Sequence, residues 1–520
     1  MNLHASQAEI DALESVLRRA VPGEGVVATK VALAWHLRQR DSARTLELVQ
    51  DVMPVVRASR AGAPGDVVSS CHARAALAAA EASALFGEAV EAERCLTDAR
   101  AHLDAAWDPQ AEGDAWLVEA VVARVRGQAE RARLALRQAS RCFARLADGE
   151  RLDVSRAWMA VEQAVAGGGP DADAAAQAAD PGGAGSARDA IVAAARAFAL
   201  SSSNPAAAAR AFTRAVDIAH GRGLVLLEVA CTLEAGAAIH ELGDYDRAAR
   251  CFDVAASRAR ATGWPALVAT CDTRIGALLC DLGAFDESQR MLSTAIEFLA
   301  SSPRGTLLAQ AHAALARTLL AMRRTSEALA QMDAAMALLR AADGVRDLAA
   351  NLILQARVLA AAAQPGRAVD VLAEARALVE EQGLTAMRAA LFQAHAELHQ
   401  RFTLPAPPAM TLPTPALHFA EAALAEGQRL VGWSPRVAAL DFLAERWAAA
   451  GDHERAYGYA RRALAAKERE THQQMGYPLA LLRVRRHAEV RAGPDPSHDL
   501  HDLADALPAT EAPGPTAGHP

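Results

Sequence analysis

Residues 236–255 read GAAIHELGDYDRAARCFDVA, and residues 276–295 read GALLCDLGAFDESQRMLSTA. The two strings share an opening glycine, a central Leu-Gly pair, and small and large apolar residues at matching places. The pattern continues at the same stride, so that Ala248, Ser288, Ala328 and Ala368 stand 40 residues apart in one series. Self-similarity at a fixed period is typical of stacked supersecondary units, none of which can bury its apolar face alone. The sequence therefore predicts a repeat array.

Each unit is predicted to be a pair of antiparallel helices. A small residue in the first helix lets the second helix cross it closely; these positions are Gly236, Gly276, Ala316, Ala356 and Ala444. The glycines that follow (Gly243, Gly283 and Gly451) end the first helix, since glycine tolerates the left-handed conformation. Aromatic residues make up only 4% of a chain that is 52% apolar, which favours alanine- and leucine-rich helices over sheets. We expect an all-α superhelical solenoid of about eleven antiparallel hairpins.

Composition shifts divide the chain into six segments. Two glycine- and proline-rich stretches, 167–170 and 181–186, predict flexible seams, and prolines crowd residues 403–415 and the end of the chain. The predicted segments are an N-terminal array (1–165), a weak repeat (166–188), a central array (189–402), a proline-rich loop (403–415), a last hairpin with its exit helix (416–490) and a disordered tail (491–520).

The order of small residue, Gly-Asp-Tyr, alanine and phenylalanine resembles the tetratricopeptide repeat (TPR), best over residues 229–376 and 437–470. The usual period of that repeat is ~34 residues, so the 40-residue stride is a departure. The last unit, Leu443 to Trp447 and Gly451 to Tyr457, with the helix from Ala465 to His472, resembles repeats that precede diguanylate cyclase (GGDEF) domains in bacterial sensors. The cyclase signature itself does not occur in the sequence, so the resemblance implies shared ancestry or a partnership with such a domain, and not cyclase activity in this chain.

Bulk properties narrow the class of partner. The net charge is −8, which argues against a global nucleic-acid interface. The N-terminus has no signal-peptide pattern, and no apolar run approaches the ~20 residues that would span a bilayer. The seven cysteines form no CxxC pair, so we expect small buried thiols rather than a disulfide framework or a zinc knuckle. These features predict a cytoplasmic protein that binds neither nucleic acid nor membrane.

In a TPR superhelix the first helices line a concave groove that takes a peptide or a partner's helix. Projected onto that geometry, Arg317 and Arg357 stand side by side, and two guanidiniums can bind a carboxylate bidentately. The complete set of predicted groove residues is His240, Thr273, Arg274, Gln310, Arg317 and Arg357. The alternative is that these arginines are solvated or paired with acidic neighbours.

The sequence contains no recognisable enzyme motif. His395 and His399 have the spacing of a helical metal chelate, but Glu397 is one residue late for the zincin motif, so surface histidines are the favoured interpretation. His498 and His501 receive the same interpretation. We therefore expect no cofactor, no metal and no catalysis. The predicted function is a non-catalytic scaffold or sensory module of bacterial signalling that binds a protein or peptide, with an acidic segment as the expected ligand.

Two rival functions remain open at this point. One is a regulatory subunit of a separate cyclase or kinase, which a homodimer through the exit helix (461–490) would favour. The other is a metal-dependent enzyme that uses His395 and His399.

Overall fold

The computed structural model describes residues 2–19, 24–59, 65–106, 108–165, 185–201, 204–300, 305–342, 344–408, 410–430 and 433–474, with residues 477, 478, 480, 481, 483 and 484. Within these ranges it contains 22 helices and no strand. The helices are α1 (Gln7–Arg19), α2 (Glu24–Leu37), α3 (Ser42–Ser59), α4 (Gly65–Phe86), α5 (Ala89–Ala106), α6 (Pro109–Val125), α7 (Ala129–Leu146), α8 (Gly149–Val165), α9 (Ala187–Leu200), α10 (Pro205–Arg222), α11 (Val225–Glu241), α12 (Tyr245–Thr262), α13 (Pro265–Asp281), α14 (Phe285–Ala300), α15 (Gly305–Ala321), α16 (Thr325–Arg340), α17 (Val345–Ala361), α18 (Pro365–Glu381), α19 (Thr385–Arg401), α20 (Pro415–Gln428), α21 (Val437–Ala449) and α22 (His453–Gln474).

From α2 onward the helices pack as successive hairpins, α2 with α3, α4 with α5, and so on to α21 with α22. The exception is α8, whose predicted partner in the weak repeat lies outside the described residues. The first helices of neighbouring units contact one another more closely than the second helices do. The array therefore curves with its first helices on the inner face, which confirms the predicted TPR-like all-α solenoid.

The turns inside the hairpins have the backbone that the glycine pattern predicts. Gly243, Gly283 and Gly451 have φ angles of 82°, 79° and 85°. Arg323 and Ala363 occupy the same slot in the next two units and also have positive φ angles, 61° and 56°. The turn thus imposes the left-handed conformation even on residues whose Cβ disfavours it.

Close crossing of the two helices explains the glycines within the first helices. A Cβ built on Gly236 would lie 2.6 Å from Cε1 of Phe252, and one on Gly276 would lie 2.6 Å from Cγ of Leu292. The 40-residue series that begins at Ala248 is fully buried in all four copies. In the second copy, the Ser288 hydroxyl donates a 2.7 Å hydrogen bond to the carbonyl of Gly276, which satisfies its polar atom inside the core.

Units far apart in sequence also touch. The indole Nε1 of Trp264 donates a 3.0 Å hydrogen bond to Oγ of Ser42, and Arg40 donates to the carbonyl of Arg222. One cluster of buried apolar residues consequently runs from Leu3 to Leu279. The N-terminal and central units share one core through these contacts.

The end of the described chain packs back onto the array. Beyond α22, Ala480 and Val484 are 0% and 2% exposed and belong to the same core cluster. Tyr477 packs against Tyr245 with ring centroids 5.0 Å apart, and Arg483 lies 3.3 Å from a carboxylate oxygen of Asp246. The part of the exit helix that the structure describes thus contacts its own chain. Residues 485–490, the predicted tail and most of the weak repeat lie outside the described residues.

Over the described part of the chain, no helix combines the length and the apolar character needed to cross a bilayer.

Candidate functional site: a polar row on the inner face

All six predicted groove residues lie on the first helices α11, α13, α15 and α17. The side chains of five of them, all except Thr273, make contacts to a neighbouring unit. Each of the three arginines forms an ion pair with an acidic side chain of a neighbouring first helix. We call this set of bridged side chains the polar row.

Three of the six meet in one small cleft between α13 and α15. Thr273, Arg274 and Gln310 line it together with Thr270, Ala277, Leu307 and Ala314. Arg274 is paired with Glu234 on α11, with Nη2 and Oε1 3.1 Å apart, and the Glu234 carboxylate raises the pKa of Arg274. Gln310 donates a 3.3 Å hydrogen bond to Asp347 on α17. The Thr273 hydroxyl donates to the carbonyl of Ala269 in its own helix, so it contributes shape to the cleft more than hydrogen bonding.

His240 and Arg317 converge on one carboxylate, that of Asp281 at the end of α13. His240 Nε2 lies 2.8 Å from Oδ2 of Asp281, and Nη2 of Arg317 lies 3.4 Å from the same oxygen. Arg317 also donates a 3.0 Å hydrogen bond to the carbonyl of Ala277. Burial acts to raise the pKa of Asp281, but the His240 hydrogen bond and the Arg317 and Arg436 charges outweigh it, so the pKa lies below its ordinary value.

Arg357 lies at the far end of the polar row and pairs with Glu397 on α19. Its Nε and Nη2 lie 3.1 Å and 3.3 Å from the two carboxylate oxygens, and Nη2 donates the hydrogen bond. Gln393 donates a further 3.1 Å hydrogen bond to the same carboxylate. The structure therefore places Arg357 one unit beyond Arg317, and each of the two arginines has an acidic partner of its own.

The polar row is partly exposed, and its charges are balanced locally. The side chains of Arg274, Arg317 and Arg357 are 34%, 38% and 33% exposed. A guanidinium carries five N–H donors, so one ion pair leaves donors that a ligand can use. An incoming carboxylate must nevertheless share each arginine with an acid that is already in place.

The described residues of the C-terminal segment that packs back (477, 478, 480, 481, 483 and 484) lie beside this row. Tyr245, which Tyr477 covers, also contacts His240 at a ring-centroid distance of 5.4 Å. Burial is the main reason that the pKa of the Tyr245 hydroxyl is raised. The Asp281 charge raises this pKa further, whereas the Arg317 charge lowers it. The segment thus contacts the start of α12, next to the His240 end of the row.

A second set of charges, which the sequence reasoning missed, lies on the first helices α4, α6 and α8. Asp114 is fully buried, with Nε of Arg151 2.8 Å and Nη1 of Arg74 3.5 Å from its carboxylate oxygens. Arg74 also pairs with Asp108 at 2.9 Å. Arg74 and Asp114 are 40 residues apart, which is one repeat period, and this spacing is the sequence signal that would have revealed the set of charges. A buried network of this kind links units, because each charge depends on its partner in the next one.

The last unit has an open cleft of a different character. Glu421 accepts hydrogen bonds from Nε1 of Trp447 at 2.7 Å and from the Tyr459 hydroxyl at 2.6 Å. Arg455 lies over the Trp447 ring, 4.4 Å from its centroid. Both aromatic side chains are therefore held in place by the same carboxylate.

His395 and His399, the histidines that the sequence offered as metal ligands, make other contacts. The interpretation of His395 as a surface histidine is wrong: it is only 8% exposed, because its ring stacks on Phe419 with centroids 4.6 Å apart. Arg376 lies 3.2 Å from Nε2 of His395, and since a guanidinium can only donate, that nitrogen acts as the acceptor. Burial, followed by the Arg376 and His399 charges, lowers the pKa of His395 to about 4.

All seven cysteines are free thiols, five of them buried and two half-buried. Burial is the main cause that raises the pKa of every one of them. Since the thiolate is the reactive form, these thiols are poor nucleophiles.

A scan against protein-family models finds no match, and a search of curated proteins finds no significant one. Among solved structures, the chain is similar to the APC/C hetero-tetramer Cut9–Hcn1, with 12% identity, coverage of 96% of this chain and 92% of that one, and a TM-score of 0.47. It is also similar to the Rap conjugation gene regulator of plasmid pLS20 in complex with the Phr* peptide, with 15% identity, 79% and 97% coverage and a TM-score of 0.38. Aspartyl phosphate phosphatase F from Bacillus subtilis matches with 9% identity, 86% and 95% coverage and a TM-score of 0.35. At these identities and scores, the matches assign no function to this chain.

Proposed function

We propose that this chain is a non-catalytic scaffold whose inner face binds a peptide or a protein segment along the polar row. The observation that carries the proposal is the C-terminal segment itself. It is held beside the row by an aromatic contact and an ion pair, Tyr477 with Tyr245 and Arg483 with Asp246. A face that accommodates one segment in this way has the shape and chemistry to accommodate another.

The row favours a ligand that presents carboxylates. Arg274, Arg317 and Arg357 recur on consecutive first helices, and each is about one-third exposed. Arginine forks bind carboxylates bidentately, and arginine is enriched among interface anchors. An acidic side chain of the partner would share a guanidinium with Glu234, Asp281 or Glu397.

A non-catalytic role is consistent with the chemistry of the side chains described above. The cysteine thiols have raised pKa values, and His395 uses its Nε2 to accept from Arg376. Seven free thiols also favour a reducing compartment, which supports a cytoplasmic location. The likeness of the last unit to the repeats of bacterial sensors supports a scaffold or sensory role in bacterial signalling.

The test is selection from a random peptide library displayed on phage, with the intact protein as bait. The expected result is enrichment of peptides rich in Asp and Glu, and loss of that enrichment with Arg274→Gln/Arg317→Gln. The matched control is Arg340→Gln, which removes a comparable ion pair, with Glu374 at 2.9 Å, from the second helix α16. If the double variant and the control select the same peptides as the parent protein, the polar row is not the binding face.

A further inference from the structure

A cluster of two histidines and one aspartate joins the helices of the second hairpin. His72 lies on α4, whereas Asp98 and His102 lie one helical turn apart on α5. His72 Nε2 is 2.8 Å from Oδ2 of Asp98, and His102 Nε2 is 3.8 Å from Oδ1 of the same carboxylate. The two imidazole rings stack on each other with centroids 3.7 Å apart and an interplanar angle of 29°.

The informative feature is that Nε2 of both histidines faces the carboxylate of Asp98. The lone pair of a neutral imidazole is repelled by a carboxylate, so a nitrogen that faces one must carry a proton or have a cation between. His72 is within hydrogen-bond distance of Asp98, but the 3.8 Å separation of His102 from it is too long for a hydrogen bond. A cation between the two nitrogens and the carboxylate would satisfy both imidazoles at once, without requiring a hydrogen bond at 3.8 Å.

The separations suit a shared metal ion. Zinc binds imidazole nitrogen and carboxylate oxygen at ~2.0–2.2 Å, so two ligand atoms in a tetrahedral site lie about 3.3 Å apart. The observed 2.8 Å and 3.8 Å bracket that distance. One ligand atom from each of the three residues can be chosen so that all lie within 4.8 Å of one another. Side-chain rotation within the cluster would be needed to bring all three ligand atoms to that spacing.

Burial and access also fit. The side chains of His72 and His102 are 6% and 9% exposed, while that of Asp98 is 31% exposed. The histidines are shielded from bulk water, and the carboxylate is the solvent-facing member of the cluster. Three protein ligands leave a fourth coordination position for water or another ligand.

We propose that His72, Asp98 and His102 form a binding site for a divalent transition metal of the zinc type, which ties α4 to α5. Two imidazoles and one carboxylate select such ions over Mg²⁺ and Ca²⁺, which prefer oxygen ligands. The site is distinct from His395 and His399, where the same four-residue spacing comes with an arginine donor and a phenylalanine ring in place of a third ligand. It does not depend on the peptide-binding role proposed above.

The experiment is a titration of chelator-treated full-length protein with Co²⁺, followed through the visible absorption of the bound ion, with Zn²⁺ as the competitor. The expected result is saturation at one Co²⁺ per chain, displacement by Zn²⁺, and no displacement by Mg²⁺. Removing a residue that only hydrogen-bonds to a metal ligand already weakens metal binding about 10–100-fold. Loss of a ligand itself should therefore weaken Co²⁺ binding at least about tenfold in each of three variants, His72→Gln, Asp98→Asn and His102→Gln.

Two control variants separate this site from the other histidines. His399→Gln removes one member of the other helical pair, and His498→Gln/His501→Gln removes the histidines near the C-terminus; both should bind Co²⁺ like the parent protein. Equal weakening in a control and in the ligand variants would overturn the assignment, as would the absence of saturable binding by the parent protein.

A second measurement does not depend on the variants folding. X-ray absorption of the parent protein loaded with one Zn²⁺ should show nitrogen and oxygen neighbours, with the signature of imidazole. Zn²⁺ should also raise the thermal midpoint of the chelator-treated protein, because an ion that binds only the folded state stabilises it. A sulfur shell around the zinc would place the ion at the cysteines and overturn the proposal.

Discussion

The substitution Gly236→Ala tests whether helix crossing distance is what demands a glycine in the repeat. The new Cβ would lie 2.6 Å and 2.8 Å from two ring carbons of Phe252 and 2.9 Å from Cβ of Cys251. Carbon atoms in good contact are ~3.5–4.0 Å apart, so the two helices must separate by close to 1 Å. Overpacking of this kind costs about 1–3 kcal/mol, and alanine returns ~0.5–1 kcal/mol of helix propensity, so we expect a net destabilisation of about 1–2 kcal/mol.

The repeat itself supplies the rescue. The fourth copy carries alanine at this slot, Ala356, and leucine where the first has Phe252, namely Leu372. Both are buried, at 2% and 0% exposure, so alanine and leucine fit together in the same crossing. In a Phe252→Leu background, Gly236→Ala should therefore cost less than it does beside phenylalanine, although some overpacking remains, since a Cβ on Gly276 would lie 2.6 Å from Cγ of Leu292 in the second copy. The coupling between the two sites is then about 1 kcal/mol.

The measurement is a double-mutant cycle of urea unfolding, with hydrogen exchange of α11 and α12 as the local readout. Hydrogen exchange is needed because a stacked array does not unfold in a single step. If Gly236→Ala has the same effect with phenylalanine and with leucine at position 252, the crossing distance is not the reason for the glycine.

Three further predictions follow from the turns, the buried histidine and the C-terminal contact. Arg323→Gly should stabilise the protein by about 0.5–1 kcal/mol and raise the urea midpoint, because it removes the strain of a left-handed backbone at a residue with a Cβ. Gly283→Ala, in the same slot, should destabilise the protein by a similar amount. If both substitutions shift the urea midpoint in the same direction, this explanation is wrong. Burial lowers the pKa of His395 to about 4 in the folded protein, against ~6.5 in the unfolded chain. Between pH 6.5 and 4 the unfolded chain therefore binds more protons than the folded one. The contribution of neutral His395 to the free energy of unfolding, at most about 3 kcal/mol, is complete above pH 6.5 and is lost as the pH falls to 4. His395→Phe should flatten the pH dependence of the urea midpoint between pH 7 and 4, and an unchanged slope would refute the assignment. Tyr477→Ala/Arg483→Ala should speed hydrogen exchange at the start of α12 and increase peptide capture on the polar row, whereas unchanged exchange would show that this contact does not hold the segment in place.

The helical repeat could be predicted from the sequence because its causes are local. The 40-residue stride that includes Ala248, Ser288, Ala328 and Ala368 follows from a slot that is fully buried in every copy. The turn glycines follow from a positive φ angle between two helices that are adjacent in the chain. The interpretation of the cysteines as buried thiols followed in the same way, from their register with the repeat.

The polar contacts could be predicted only in part. The sequence placed Arg274, Gln310 and Arg317 on one face, and the structure places Arg274 and Gln310 in one cleft. The alternative that the arginines pair with acidic neighbours is what the structure shows, but the sequence did not identify Glu234 and Asp281 as the partners. Whether an arginine meets an acid on the next unit depends on the rotation between units, which a repeat period does not specify.

The sequence by itself thus determined the kind of unit, its length and its internal crossing, since each depends on residues within one hairpin. The tertiary structure alone decided what distant segments meet: Trp264 with Ser42, Arg483 with Asp246, and Arg40 with Arg222. The physical reason is that small rotations between stacked hairpins accumulate along the array. Curvature, and with it every long-range contact, is a property of the whole stack and not of any one repeat.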